Sequence, residues 1–345
     1  MKYVEKPFFS IIIPCYNSKK TITRLLNSIV AQDMADEIQV ILSDDHSTES
    51  YDNEVRPFLD KLCIERIVTD YNCCPGNTRE KGVSLARGTW IAFADHDDMF
   101  IPDTFKRIMN QIIKNKEEYI AYCNIHRSKN TDGKFTEDLI ELDMVTFTGL
   151  LHGKFFNRVN LWEKYDLHFK KDMFTHEDTY LTTIVKCVMH SIGKEPLHID
   201  IFNYVWFNNS KSLSNSNGVR NFLEENFKYF VEGTSDVYRD YYERGLIDDK
   251  WAVRQLISSI VYDYCYMQLF LFHNPDHYVE SNALLCQHNL REFKRLFKMS
   301  NASIFWYCGE NNAQLYALVQ KEAGFGYIPT YTLMDWLELL DKDTK

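Results

Sequence analysis

The chain has 345 residues, of which 45% are hydrophobic and 26% charged, and its formal net charge is −10. This length exceeds the usual size of one domain, so a large domain with an appendage is the natural expectation for a globular protein of this composition. The acidic balance argues against the long phosphate-backbone contact that nucleic-acid-binding proteins need, and no nucleic-acid partner is expected. A small basic pocket for a diphosphate is still compatible with it.

The nine cysteines are an odd number, scattered without a C-x-x-C pair. A disulfide framework or a zinc site would show paired, regular spacing, so we expect free thiols in a reducing cytosol. The N-terminus lacks the apolar run of a signal peptide. The most apolar stretch, residues 251–272, contains Arg254 and Asp263 and has helical periodicity, which makes it a poor membrane span. The expectation is a soluble, cytoplasmic protein.

In the first third of the chain, apolar runs alternate with helical patterns. Four runs have the pattern of strands: residues 8–14, 38–42, 64–68 and 90–94. A helix capped by Asn17-Ser18 is predicted through residue 29, and another over residues 78–86, stopped by Gly88. Strand–helix alternation predicts an α/β fold with a mostly parallel central sheet flanked by helices. Such sheets bind ligands at the carboxyl ends of their strands.

The rest of the chain changes character twice. Between about residues 135 and 218 short helices and strands mix, with a helix over residues 181–188 and a strand over 197–207. Beyond residue 219 the pattern is helical and rich in aromatic residues. We therefore predict a catalytic domain at residues 1–218 and an all-helical region at 219–345. These helices either pack on the first domain, form a dimer or trimer contact, or dock a lipid-linked or polymeric acceptor.

Asp95-His96-Asp97-Asp98 follows a predicted buried strand directly. Three carboxylates in four residues repel one another unless a cation neutralises them. Their hard oxygen ligands suit Mg²⁺ or Mn²⁺, which also bridge the phosphate oxygens of nucleotides. The alternative is an acidic, solvated turn with Asp103 as a nearby helix cap.

Two weaker acidic motifs accompany it. Ser43-Asp44-Asp45-His46-Ser47 ends the second predicted strand, where a carboxylate can accept a hydrogen bond from a nucleobase or a ribose, or simply form an Asx-turn. His176-Glu177-Asp178 opens an apolar helix. Acidic residues favour helix N-termini without any function, but one carboxylate there is also suited to deprotonate an acceptor hydroxyl.

The order and spacing of the motifs carry more information than each motif alone. The series runs I-I-I-P-C-Y-N, S-D-D-H-S-T, G-N-T-R-E-K-G-V-S-L-A-R-G, F-A-D-H-D-D and H-E-D. Over residues 8–215 it resembles the inverting glycosyltransferases of family 2, which have the Rossmann-like GT-A fold. The resemblance implies transfer of a hexose or N-acetylhexosamine from a nucleotide-sugar, UDP-linked at the family level, to an acceptor hydroxyl. Cell-surface polysaccharide, teichoic acid or another glycan is the implied product.

The resemblance also implies roles for individual residues. Asp95 and Asp97 form the D-x-D element, with Asp97 as the direct ligand of Mn²⁺ or Mg²⁺. Asp178 is the candidate base, and Glu177 shapes the acceptor site. The expected nucleotide contacts are Pro14, Tyr16, Asn17, Asp45 and Arg79, together with Lys211, Ser212 and Ser214, which fold over the diphosphate.

The sequence departs from the family pattern at three places. Glu80 stands where the family usually has Asn after the arginine, and His96 replaces a small residue inside D-x-D. Some relatives have a C-terminal histidine ligand, but the corresponding stretch here offers only Asn203, Asn208 and Asn209. His198 is nearby and is expected to be structural, since it lies on a predicted strand.

Two other functions compete with this interpretation. A nucleotidyltransferase also uses an acidic metal pair, but it would normally have a Gly-rich loop where residues 15–19 read C-Y-N-S-K. A non-catalytic nucleotide-binding or scaffold protein gains little support, because both the metal and the base carboxylates are present. The partners expected are a nucleotide-sugar and a glycan, polyol-phosphate or lipid-linked acceptor. Peripheral association with the inner face of the membrane and a homo-oligomer through the C-terminal helices stay open.

Overall fold

The computed structural model describes residues 2–128, 139–142, 149–207, 229, 232–248, 250–252 and 255. The chain divides into two compact units, Met1–Ser216 and Asn217–Lys345. In the second unit the described residues include the helix Ser235–Glu243, in which Tyr238 packs edge-on against Trp251. The rest of the predicted helical region lies outside the described residues.

The first unit is built on a nine-stranded sheet in the order β3-β2-β1-β4-β8-β6-β9-β5, with β7 paired to β6. Pairing is parallel among β1 to β4 and between β6 and β9, and antiparallel elsewhere. The strands are β1 Phe9–Cys15, β2 Ile38–Asp44, β3 Cys63–Val68, β4 Trp90–Phe93, β5 Met99–Phe100, β6 Ile120–Ser128, β7 Leu139–Leu142, β8 Lys154–Asn157 and β9 Leu197–Phe207. The predicted α/β sheet is confirmed, with the first four strands as its continuous parallel part and β6–β9 as a further parallel pair.

Helices flank this sheet. Their bounds are α1 Ile22–Val30, α2 Asp52–Val55, α3 Pro75–Val83, α4 Thr104–Asn115 and α5 Glu177–Ser191. The helix Ser235–Glu243 of the second unit is α6. Short 3₁₀ turns cover Ser18–Lys20 and Arg56–Phe58, and a π-helical turn covers Arg158–Glu163. None of the helices within the described ranges is long and apolar enough to cross a membrane.

The core forms because β1 is buried on both faces. Ile11 and Ile13 belong to the same apolar cluster as Leu25 of α1, whereas Ile12 faces α3. Gly82 allows that helix to approach, since a Cβ there would lie 2.6 Å from Ile12 Cγ2. The described cysteines are free thiols, and all but Cys73 are buried.

This topology determines where a ligand can bind. The parallel strands β2, β1 and β4 end at the same edge of the sheet, and their loops carry the S-D-D, Y-N and D-H-D-D motifs. The carboxyl edge of such a sheet is the usual ligand-binding crevice of α/β folds.

Candidate active site

Arg79 connects two of the sequence motifs. This residue of α3 is only 6% exposed, and its guanidinium donates from Nη2 to Asp95 Oδ1 at 2.8 Å and from Nη1 to Glu177 Oε1 at 2.6 Å. One cation therefore joins the acidic turn after β4 to the first residue of α5. The nucleotide contact predicted for Arg79 remains a prediction.

The two carboxylates paired with Arg79 have different pKa values. Burial acts to raise the pKa of Asp95, but Arg79 and His152 outweigh it and hold that pKa well below its usual range. Burial raises the pKa of Glu177 to about 7, with Arg79 opposing the shift. Asp95 is therefore ionised at neutral pH, whereas Glu177 is poised to exchange its proton there.

His152 is a site residue that the sequence does not predict. Its Nε2 lies 3.2 Å from Asp95 Oδ2 and 4.0 Å from Asp98 Oδ2, and its side chain is largely buried. The ring stacks on Tyr204 with centroids 4.8 Å apart. Burial acts to lower the pKa of His152, but Asp95 and Asp98 together raise it above its usual value. Within the described ranges, the ligand atoms of Asp95, Asp98 and His152 lie within 4.8 Å of one another, close enough to share a metal ion.

Asp98 also ties the acidic turn to β9. It is 1% exposed and accepts hydrogen bonds from Tyr204 Oη at 2.7 Å and from the Phe207 backbone N–H at 2.8 Å. The same Tyr204 hydroxyl accepts a hydrogen bond from the Asp95 backbone N–H at 3.0 Å. Burial raises the pKa of Asp98 well above its usual value.

The middle of the acidic turn faces α1. The backbone carbonyl of Asp97 accepts a hydrogen bond from Arg24, and His96 Nδ1 lies 2.8 Å from Thr21 Oγ1. The Asp97 side chain is half-buried. It is not part of the three-residue cluster found within the described ranges. Its predicted role as direct metal ligand stays a prediction.

Asp45 lies in a polar loop at the carboxyl end of β2. Its Oδ1 accepts from the Cys73 backbone N–H at 2.8 Å and from Thr69 Oγ1 at 3.3 Å, and its Oδ2 accepts from Asn72 Nδ2 at 3.2 Å. These donors fix the carboxylate that is expected to contact the nucleobase.

The other predicted nucleotide residues lie at the end of β1. Tyr16 is 45% exposed and Pro14 is half-buried. Asn17 adopts a left-handed φ of 49°, and its Oδ1 accepts hydrogen bonds from the backbone N–H groups of Thr48 and Glu49 at 2.9 and 3.1 Å. The side chain of Asn17 thus connects the loops after β1 and β2.

Asp178 is half-buried in the first turn of α5, where the Thr179 backbone N–H donates to its Oδ1 at 2.7 Å. Its neighbour Glu177 links this turn to Asp95 through Arg79. Glu80, which replaces the family's asparagine, accepts a hydrogen bond from the Phe169 backbone N–H at 3.0 Å. Lys211, Ser212 and Ser214 lie outside the described residues, as do Asn208 and Asn209.

Residues 10–175 match the family model described as Glycosyl transferase family 2. This match, over slightly less than half of the chain, makes the region similar to glycosyltransferase family 2. The chain is 27% identical over 184 residues to the poly(ribitol-phosphate) beta-N-acetylglucosaminyltransferase TarS of Staphylococcus aureus (strain MW2), covering 50% of this chain and 31% of TarS. It is 33% identical over 105 residues to the succinoglycan biosynthesis protein ExoO of Rhizobium meliloti (strain 1021), covering 30% of each. The chain thus spans less than a third of the length of these relatives.

The fold has a solved counterpart. The crystal structure of S. aureus TarS 1–349 in complex with UDP-GlcNAc superposes with a TM-score of 0.67 at 18% identity, covering 91% of this chain and 90% of that one. At this identity the likeness concerns the fold, and it confirms the GT-A fold expected for a family 2 protein.

Proposed function

We propose that the chain is an inverting, metal-dependent glycosyltransferase that moves a hexose or N-acetylhexosamine from a UDP-sugar to an acceptor hydroxyl. The observation that carries the proposal is the Arg79 bridge, which joins Asp95 of the D-x-D element to Glu177 beside the candidate base. Donor-side and acceptor-side carboxylates then belong to one charged network at the carboxyl edge of the sheet. The match to family 2 and the activity named for TarS support a glycan or polyol-phosphate acceptor.

In this proposal Asp45 binds the nucleobase of the UDP-sugar. The protein donors to its carboxylate leave room for one further hydrogen bond on Oδ2. A nucleobase N–H is a suitable donor to it. The exposed ring of Tyr16 lies at the end of the adjacent strand, where it can stack on the base.

The residues after β4 suit a divalent cation. Asp95 and Asp98 supply hard oxygen ligands and His152 supplies a nitrogen, a set compatible with Mn²⁺ or Mg²⁺. Burial raises the pKa of Asp98, and the neighbouring charges of Asp95 and Asp97 raise it further. A cation bound here would offset that concentration of negative charge. Asp95, Asp98 and His152, with Asp97 as the ligand that the family pattern favours, would hold the ion. When bound, it would offset negative charge on the departing diphosphate.

On the acceptor side, Asp178 takes the proton of the acceptor hydroxyl. The oxygen of the acceptor hydroxyl forms the new bond to the anomeric carbon of the sugar. The bond from this carbon to the nucleoside diphosphate breaks on the opposite face. Glu177 is already engaged by Arg79, which makes it a positioning residue rather than the base. A general base of this kind typically contributes about 10²–10⁴-fold to the rate.

The test measures UDP release from a panel of UDP-sugars, with Mn²⁺ and with EDTA, in the wild type and in Asp178→Asn. We expect metal-dependent release in the wild type and a loss of about 10²-fold or more in the variant, with unchanged UDP affinity by calorimetry. Asp172→Asn, which alters an exposed carboxylate of the loop before α5, is the control and should keep full activity. Full turnover by Asp178→Asn would remove that residue from the mechanism.

A further inference from the structure

Cys73 carries a thiol beside Asp45 that the proposed mechanism does not use. It lies in the loop between β3 and α3 and is half-buried, whereas the other described cysteines are buried. Its Sγ lies 3.0 Å from Asp45 Oδ1, and its backbone N–H donates to the same oxygen at 2.8 Å. This single residue therefore directs two donors at one oxygen of Asp45.

The other donors to Asp45 fix its carboxylate less firmly. Thr69 Oγ1 lies 3.3 Å from Oδ1 but only 2.8 Å from the Tyr71 carbonyl oxygen, and a hydroxyl has one proton to donate. The second oxygen of Asp45, Oδ2, lies 3.2 Å from Nδ2 of the exposed Asn72. The two donors of Cys73 therefore hold Oδ1 most closely, and Oδ2 is the oxygen that a ligand can reach.

The thiol of Cys73 keeps its proton at neutral pH. Burial raises the pKa of Cys73 to about 11, Thr78 opposes this shift, and Asp45 adds to it. A thiol is a weak donor, but a charged acceptor such as a carboxylate strengthens the hydrogen bond. Asp45 is only 7% exposed, so water competes little for its oxygens.

The thiol is also in contact with α3. Cys73 Sγ lies 3.4 Å from Thr78 Oγ1, and Thr78 is fully buried. The carbonyl of Thr78 accepts a hydrogen bond from Ser43 Oγ of β2 at 2.6 Å. The sulfur therefore lies between Asp45 and a buried residue of the helix that carries Arg79. This contact gives the thiol a fixed position from which to orient the carboxylate.

We propose that Cys73 is a positioning residue for nucleobase recognition, whose thiol holds Asp45 with Oδ2 turned toward the base. The inference rests on the proposed function, in which Asp45 binds the nucleobase. Uracil presents an N–H at ring position 3, which a carboxylate oxygen accepts. Cytosine has an unprotonated nitrogen there, and two facing acceptors leave both unpaired. A fixed Oδ2 therefore favours UDP over CDP, and Cys73 contributes to this preference.

Three variants isolate the thiol. Cys73→Ala removes the thiol donor and keeps the backbone N–H, and Cys73→Ser supplies a hydroxyl that can donate to the same oxygen. Cys74→Ala is the matched control, because it removes the neighbouring buried thiol, which is not among the described donors to Asp45. The affinities for UDP and for CDP, both with Mn²⁺, are measured by calorimetry, together with the thermal unfolding midpoint.

Because the net contribution of one hydrogen bond is modest, we expect Cys73→Ala to weaken UDP binding by about 3- to 10-fold and to leave CDP binding unchanged. Cys73→Ser should restore the preference for UDP, and Cys74→Ala should keep it. A preference for UDP that is undiminished in Cys73→Ala would overturn the proposal. So would an equal loss of affinity for both nucleotides, or a wild type with no preference between them.

A second readout reports the hydrogen bond directly and needs no nucleotide. The infrared S–H stretching band that is lost in Cys73→Ser belongs to Cys73, and a hydrogen-bonded thiol absorbs at lower wavenumber than a free one. In Asp45→Ala this band should move to higher wavenumber, and an unmoved band would overturn the proposal. Failure of the proposed function has a different signature, namely a wild type that prefers UDP to CDP but releases no UDP from any UDP-sugar.

Discussion

Glu177 and Asp95 share the guanidinium of Arg79, and burial acts to raise the pKa of both, yet their other charged neighbours differ. Asp95 has two cationic neighbours, Arg79 and His152, whereas Glu177 has Arg79 and the nearby negative charge of Asp178. At neutral pH the network therefore carries its negative charge mainly on Asp95, at the side proposed for the nucleotide-sugar. Glu177 is the member whose proton is exchanged near neutral pH.

This difference predicts a pH-dependent stability. The pKa of Glu177 is raised from 4.5 to about 7, so the folded protein keeps this proton when the unfolded chain has lost it. The resulting stabilisation is complete below pH 4.5 and disappears as pH rises through about 7. Glu177→Gln lacks it, so the free energy of unfolding of the wild type should fall relative to that of the variant across this interval.

Urea denaturation of both proteins between pH 4 and pH 8 measures the effect, and each protein serves as the reference for all other titrating groups. Stability curves that stay parallel would show that Glu177 titrates with the same pKa in the folded and unfolded chain.

Among the individual site residues, the sequence predicts those that belong to motifs and misses those that do not. Asp95 and Glu177 are predictable because each lies where a strand ends or a helix begins, and the structure connects them through Arg79. His152 has no such signal. It reaches Asp95 because β8 pairs antiparallel with β4, and its ring stacks on Tyr204 from β9. Both relations join residues far apart in the chain.

Among the elements, β8 depends on an unusual turn. Gly153, immediately before the strand, has a φ of +73°, and a Cβ there would lie 2.9 Å from Ile125 Cγ2 and 3.0 Å from the Cys123 carbonyl oxygen. The glycine therefore permits both the left-handed backbone and the close approach of β6. It is also the single residue that lies between His152 and Lys154 in the chain.

We expect Gly153→Ala to destabilise the protein more than Gly193→Ala does. Both glycines have a left-handed φ, +73° and +63°, but nothing lies within 4 Å of a Cβ at Gly193. The control should therefore cost about 1–2 kcal/mol, the price of the backbone conformation alone, and Gly153→Ala should cost clearly more. Chemical denaturation measures both, and equal losses would contradict the packing argument.

The parallel strands are the elements that the sequence predicts best. Continuous apolar runs predict β1, β2 and β4 to within about two residues at either end. The predicted helix over residues 78–86 begins earlier, at Pro75, because proline fits the first position of a helix, where no N–H partner is needed. The strands β6 and β8 have no separate prediction. Their antiparallel pairing is a nonlocal choice that a local pattern does not encode.

For the whole molecule, the division after Ser216 predicts an independent catalytic unit. All predicted nucleotide, metal and base residues precede this boundary. A chain ending at residue 216 should therefore fold cooperatively and bind UDP with the affinity of the full chain, as measured by calorimetry. Light scattering on both chains reports whether residues 217–345 change the oligomeric state. A truncated chain that does not unfold cooperatively would contradict the independence of the unit.

The fork of Arg79 limits how this site can vary. Its two terminal nitrogens address carboxylates on separate elements, Asp95 after β4 and Glu177 on α5. A lysine there would present a single point charge and could not reproduce both planar contacts. Positions 79, 95 and 177 are therefore coupled, because a substitution at one of them alone leaves a charged side chain without its ion-pair partner. Any redesign for a new acceptor that begins at residue 177 has to include the other two.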